Sequence, residues 1–386
     1  MEVLTRCALV LLLDVNVHSR FILSTVMKIL VSDYQLPNPF QDGGSNRILD
    51  VMKVLTTEHD VFFNTEATDR PSELLQILEV SGIKYLETNS QFRQMGESID
   101  IVILSRINNY LRNLAFLQKF CPNAKFIFDT VDLHHVREER ERVLLEKPFD
   151  IEEHPEITAI KSMSHTWVVS HAEKKYLSNM DLGHKVSVVS HVHEINTKAR
   201  PNFESSSGLL FIGGFRHRPN WDAIKTFLDK TWPSVCKRIP GIHLNIIGDT
   251  DGIDLASLKK ENVNFLGQIH NFDTILKSSR IMIAPLRYGA GIKYKVGLAM
   301  ASGLPVVTTS IGAEGFGFPK NAVALADSSE TFVDRIVDLY ESKKKWVLQQ
   351  ERGLQAIQKF TRSEMNNSIK QSFQRVCETA DFTLRI

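Results

Sequence analysis

The stretch Ala284–Val307, APLRYGAGIKYKVGLAMASGLPVV, closes one apolar run, passes through a glycine-containing basic loop, and continues as a helical pattern that ends on a second apolar run. The spacing predicts strands at Ile281–Leu286 and Pro305–Thr309, with a helix at Lys293–Ala301 between them. A strand–helix–strand unit of this kind belongs to a parallel sheet covered by helices. In the loop, Gly289 and Gly291 lie close to Arg287, Lys293 and Lys295, and no acid stands between Arg287 and Ala301. Backbone amides and cations gathered at a strand end suit a diphosphate.

The same alternation extends outward over the chain. Further strands are predicted at Lys28–Ser32, Asp60–Asn64, Ile83–Leu86, Ile99–Leu104, Lys125–Asp129, Thr166–Ser170 and Lys185–Val189 in the first half. The second half adds Leu209–Gly213, His243–Gly248, Val263–Leu266 and Ala322–Leu325. Helical patterns fall between them at Arg47–Thr57, Trp221–Arg238, Phe272–Ser278 and Glu330–Ser342, and the tail from Glu341 reads as mostly helical. The fold class is therefore α/β, with two doubly wound, Rossmann-like domains and a cleft between them. The expected boundaries are an N-terminal extension at 1–27, an N-terminal domain at 28–196, a polar linker at 197–208 and a C-terminal domain at 209–360. Residues 361–386 form a C-terminal helix that can pack back on the N-terminal domain.

A chain of 386 residues is long enough for two or three domains. Lys and Arg total 46 and Asp and Glu 45, a formal net charge of +1. This balance excludes a dedicated nucleic-acid binder, which carries a basic domain. With 43% hydrophobic residues, it also excludes a disordered chain. Cys7, Cys121, Cys236 and Cys377 lie far apart and show no zinc-type spacing, so they read as reduced thiols in a cytoplasmic protein. The apolar run at 7–13 is too short to span a membrane and stops at Asp14. Residues 1–26 are expected to be dispensable, because the first good strand follows Met27.

Ligands in doubly wound sheets bind at the carboxyl ends of strands, so loops after strands carry the information. The loop PNPFQDGGSNR (Pro37–Arg47) offers Asp42, Gly43, Gly44 and Ser45 at a helix start, with Ser45 the expected cap. FDTVDLHHVREERER (Phe128–Arg142) gathers Asp129, Asp132, His134 and His135 where a strand ends, a set able to orient hydroxyls or move a proton. FIGGFRHRPNWDA (Phe211–Ala223) places Gly213, Gly214, Arg216, His217 and Arg218 before a helix opened by Pro219. TTSIGAEGFGF (Thr308–Phe318) surrounds Glu314 with Gly312, Gly315 and Gly317. His191 and His193 alternate near a strand end without an evident third metal ligand.

Taken together and in this order, the segments at Asp42–Ser45, Phe128–Arg140, Gly213–Asn220, Gly289–Lys295 and Gly303–Gly315 resemble the retaining glycosyltransferases of family 4, which have the GT-B fold. The resemblance is closest to a bacterial-type branch with FDTVDLH and GAGxKxK motifs, and it runs from about Lys28 to about Phe360. It implies a nucleotide-sugar donor bound by Gly213, Gly214, Arg216, His217, Gly289, Gly291, Lys293, Lys295 and Glu314. It implies a glycan or glycolipid acceptor on the side of Asp42, Gly43, Gly44 and Ser45, with Asp132 and His134 as catalytic residues. No metal or other cofactor is expected, and no nucleic-acid partner. The resemblance is compatible with a cytoplasmic enzyme touching the cytoplasmic face of a membrane. One departure stands out: Leu298 occupies the position where many members carry a glutamate assigned to the nucleotide ribose. The alternatives are a catalytically impaired GT-B protein that binds sugar nucleotide or glycan, or another GT-B enzyme such as a sugar-nucleotide epimerase.

Overall fold

The computed structural model describes residues 26–147, 154–250 and 255–383. The expected extension therefore lies, apart from its last two residues, outside the described residues. Two parallel sheets organise the chain. The first contains β1 (Lys28–Ser32), β2 (Asp60–Asn64), β3 (Lys84–Tyr85), β4 (Ile101–Ser105), β5 (Lys125–Asp129), β6 (His165–Val168) and β7 (Val186–Val188), in the order β3-β2-β1-β4-β5-β6-β7. The second contains β8 (Ser207–Ile212), β9 (Leu244–Ile247), β10 (Val263–Gly267), β11 (Ser279–Ala284), β12 (Val306–Thr308) and β13 (Ala324–Leu325), in the order β10-β9-β8-β11-β12-β13. Central strands such as IVILS (Ile101–Ser105) are buried throughout, as strands covered by helices on both faces must be. These are two Rossmann-like α/β domains.

Each strand order reverses once near its middle, between β1 and β4 in the first sheet and between β8 and β11 in the second. A crevice opens at such a switch point because the helices on either side leave in opposite directions. The loops after β1, β8 and β11 are three of the glycine-containing segments singled out above, and the Asp132 loop follows β5, next to β4.

Three details differ from the expectation. Strand β8 begins at Ser207, inside the polar stretch read as linker. The helix expected at Trp221–Arg238 is two helices, Arg218–Lys230 and Trp232–Arg238. Pro233 has no amide hydrogen to continue the first helix and instead suits the opening turn of the second. The helix after the DGGS loop is Gly43–Leu55, and its cap is Asp42 rather than Ser45: Asp42 Oδ1 accepts the Ser45 amide at 2.8 Å.

The last helix, Arg362–Thr383, crosses back to the first sheet. Met365, Ile369, Phe373 and Val376 are buried in the same core as Ile29, Val31, Ile103 and Trp167. Trp167 Nε1 donates to Ser372 Oγ at 2.6 Å.

Candidate active site

The Asp132 loop is built with strain. Val131, a β-branched residue, has φ +63°, and Arg106 at the end of β4 has φ +71°. Such residues persist in this region only where the surroundings fix them. Gly44 supplies part of that fit, since a Cβ there would lie 2.6 Å from Arg106 Nη2 and 2.8 Å from Val131 Cγ1. Arg106 also binds Asp33 (3.3 Å) and Asp42 (3.2 Å), so one guanidinium ties the DGGS loop to the ends of β1 and β4. Burial lifts the Asp33 carboxyl to about 6, against the pull of Arg106.

Asp132 lies between two basic side chains. His134 Nε2 is 3.1 Å from its Oδ1, and Arg137 donates to its Oδ2. Burial works against the charge on Asp132, but Arg137, His134 and His217 outweigh it and hold the carboxyl far below its usual range. Burial likewise opposes the charged form of His134, and Asp132 reverses this and raises its pKa. The result is a fixed carboxylate–imidazole pair at the N-terminus of the helix His134–Leu144.

The other two members of the expected cluster turn away from the cleft. Asp129 Oδ2 accepts Arg47 Nη1 at 2.8 Å, both side chains being fully buried. His135 is buried against Glu156, whose Oε2 takes the His135 amide at 2.9 Å and lies 2.6 Å from Nδ1. His135, His154 and Glu156 form a group with metal-ligand chemistry. His154 Nδ1 accepts the Glu156 amide at 3.2 Å and caps the helix Pro155–Ser162, whereas His135 Nε2 and Glu156 Oε1 are buried without a hydrogen-bond partner.

The second domain brings its basic residues to the opposite wall. Lys295 Nζ donates to Asn220 Oδ1 at 2.6 Å, and a Cβ at Gly213 would lie 2.5 Å from that nitrogen. Gly213 thus makes room for Lys295. Burial, then the like charge of Lys293, draws the Lys295 ammonium down to about 7. Burial draws Lys293 down to about 8. Lys293 Nζ curls back onto its own loop, donating to Gly291 O at 2.7 Å and Ala290 O at 3.1 Å. His217 precedes the helix Arg218–Lys230 without a side-chain capping bond, and burial followed by Arg137 lowers its pKa to about 4.

The remaining cations have acids supplied by other elements. Arg216 pairs with Asp249 (3.0 Å), Arg218 with Glu141 (3.2 Å) and Arg287 with Asp222. A cleft with several free cations was the expectation from the loop sequences. The pairing acids lie on the helices His134–Leu144 and Arg218–Lys230 and just after β9; Glu141 and Asp222 stand inside segments quoted above, but each pairs with a cation of a different segment.

The two walls meet closely. A Cβ at Gly291, whose φ is +66°, would lie 2.9 Å from the Asp132 Cβ. Ala290 is buried in a first-domain cluster with Leu133 and Val136. Glu314 receives both Arg140 nitrogens, at 2.6 and 2.7 Å. Beside this contact a cavity of about 770 Å³ opens, lined by Arg137, Glu141, Arg216, His217, Arg218 and Tyr288 among others. Arg106, Arg137, Arg140 and Glu173 were not singled out from the sequence. The signal for the first three was present, as arginines directly after β4 or inside the segment Phe128–Arg142.

Residues 206–342 match the family model described as "Glycosyl transferases group 1". The match covers the second sheet and the loops after β8, β11 and β12. A protein of Klebsiella pneumoniae, "Uncharacterized 44.6 kDa protein in cps region", is 34% identical over 118 residues, covering 28% of this chain and 30% of that protein's own length. Among solved structures, HepE from Anabaena in complex with UDP and glucose superposes with a TM-score of 0.67 at 13% identity, covering 90% of this chain and 99% of that one. Sucrose-phosphate synthase from Thermosynechococcus elongatus gives 0.67 at 13% identity, covering 92% and 100%. TarM gives 0.68 at 11% identity, covering 90% and 99%. At such identities the likeness establishes the fold, which is that of the GT-B glycosyltransferases. No helix among the described residues is long and apolar enough to cross a membrane.

Proposed function

We propose that this chain is a glycosyltransferase that moves a sugar from a nucleotide-sugar donor to a hydroxyl of a glycan or glycolipid, with retention and without a metal. The observation that carries the reading is the approach of Lys293, Lys295 and His217, which follow the switch-point strands β11 and β8, to Asp132 and His134 after β5, in a chain whose second domain matches a glycosyltransferase family. The donor diphosphate belongs beside Lys295, Gly213 and the start of the helix Arg218–Lys230. Cations and helix amides fixed there stabilise the leaving phosphate as its bond to the sugar breaks. Asp132 and His134 belong on the sugar and acceptor side, where a carboxylate–imidazole pair orients a hydroxyl. The two domains supply proximity by holding donor and acceptor on opposite walls. A nucleotide donor is in keeping with the UDP and UDP-glucose complexes of HepE, and retention and metal independence follow the family resemblance. Peripheral contact with a cytoplasmic membrane face is part of the proposal for a lipid-linked acceptor.

A second reading has one observation in its favour. Leu298 is half-buried against the apolar core of the second domain, where many relatives by resemblance hold a carboxylate. A protein that binds a sugar nucleotide without turning it over fits that substitution. A thermal-shift panel of UDP-, GDP- and dTDP-sugars identifies the donor, since a ligand of the native state raises its melting temperature. Transfer or donor hydrolysis by the purified protein then separates enzyme from binder. Lys295→Ala is expected to weaken donor binding by roughly ten- to a hundredfold, the value of a charge-assisted hydrogen bond. Arg216→Ala costs less, because its guanidinium already pairs with Asp249 at the surface. Unchanged affinity in both variants refutes the donor-site assignment.

A further inference from the structure

We propose that Arg140, on the first domain, is a positioning residue that holds the Gly289–Gly291 loop of the second domain in place, with Glu314 as its counter-anchor. Arg140 projects from the helix His134–Leu144, two turns beyond His134. Its Nη1 donates to the Gly289 carbonyl at 2.6 Å, and its Nη1 and Nη2 reach both Glu314 oxygens at 2.6 and 2.7 Å. Three charge-assisted bonds from one planar group fix direction as well as distance. The next residue on the helix, Glu141, accepts the Tyr288 hydroxyl at 2.9 Å. Adjacent loop residues are thus held by adjacent helix residues.

The loop needs an outside anchor. Gly289 and Gly291 have φ of +149° and +66°, so its backbone is intrinsically permissive. Ala290 between them is buried against the first domain, and Lys293 closes the far side onto the Ala290 and Gly291 carbonyls. An exposed ion pair is worth little by itself. Here both side chains are only about 30% exposed, the contact is bidentate, and a backbone carbonyl shares it. The helix that carries Arg140 also carries His134 and Arg137, which contact Asp132. Donor-side loop and acceptor-side pair are therefore placed by one rigid element. The positioning role for catalysis rests on the glycosyltransferase reading, whereas the anchoring of the loop does not.

Hydrogen–deuterium exchange on the full chain tests this without a substrate. In Arg140→Ala, amides of residues 289–292 are expected to exchange about tenfold faster, while those of β1 stay protected. Glu314→Gln gives a similar gain, Arg140→Lys an intermediate one, and the Arg140→Ala/Glu314→Gln double variant no more than either single change, because the residues act as a unit. Unchanged exchange at 289–292 in a folded Arg140→Ala protein, or strictly additive effects in the double variant, overturns the proposal. UDP, GDP and dTDP binding is measured in parallel. If the wild type binds none of them while exchange responds as expected, the loop anchor stands and the donor reading falls.

Discussion

Lys295 meets neutral partners where an ammonium ordinarily meets a carboxylate or water. Its Nζ bonds to an amide oxygen of Asn220 and lies 4.4 Å from the centre of the Phe211 ring. Burial and the like charge of Lys293 bring it to about 7, far below the value of about 10.4 for a free lysine. Below pH 7 both folded and unfolded chains carry the proton, and the folded state bears the full cost of holding it. Between pH 7 and about 10.4 the unfolded chain binds more protons, so this cost fades as pH rises. Lys295→Met is therefore expected to raise the melting temperature at pH 6.5, by about 2–4 °C for each kcal/mol relieved, and to lose that advantage near pH 10.5. Melting curves at the two pH values check it, and an equal shift at both contradicts it. A bound anion reverses the preference and favours the charged form. Nucleoside diphosphate binding at pH 8 should then take up protons, visible as a dependence of calorimetric heat on the buffer's ionisation enthalpy.

At the scale of the element, the helix His134–Leu144 carries the candidate chemistry yet has no capping side chain of its own. Its first amides go to carboxylates from other helices. Glu173 Oε1 accepts the Leu133 amide at 3.2 Å, and Glu156 Oε2 accepts that of His135. Burial raises Glu173 to about 7, with Asp132 adding to the effect. Removing a buried partner strands the groups it served, so Glu156→Ala should cost about 1–3 kcal/mol. Thermal denaturation at pH 7 measures this, and a loss below about 1 kcal/mol shows that water replaces the carboxylate. This arrangement also marks what the sequence could and could not disclose. Buried parallel strands such as ILVS and IVILS are written in adjacent residues, so their presence and the loops after them were legible. The caps of this helix come from residues 21 and 40 positions away, and Asp129 finds Arg47 across 82 positions. Local pattern holds no trace of such pairings. Gly43 and Gly291 were read as openings for a ligand. Gly43 lies against Tyr294 of the other domain and Gly291 against Asp132, so each first permits two chain segments to touch.

Across the whole molecule, the first domain is completed by the end of the chain. The helix Arg362–Thr383 inserts Met365, Ile369, Phe373 and Val376 into the first core, and the Phe373 ring stacks on Trp167 with centroids 6.1 Å apart. Ion pairs Lys370–Glu58 (2.6 Å) and Arg362–Glu194 (2.7 Å) border the seam, but half-exposed pairs add little to stability. The apolar face dominates. At about 1.5–3 kcal/mol for each large side chain, burial of these four is worth roughly 6–12 kcal/mol. That is comparable to the whole stability of an average domain, about 5–15 kcal/mol. A chain ending at Thr361 should therefore lose the first domain as a folded unit while the second sheet, whose core is separate, survives. Limited proteolysis should then leave a resistant fragment spanning β8 to β13, and hydrogen exchange should show protection in β8 and β11 but not in β1 and β4. The milder change Phe373→Ala should cost about 3–5 kcal/mol and leave both domains folded. If the shortened chain keeps β1 and β4 protected, the first core closes without this helix and the helix is a passenger. The expected result means that the wall carrying Asp132 and His134 forms only once the helix Arg362–Thr383 has returned to the first sheet.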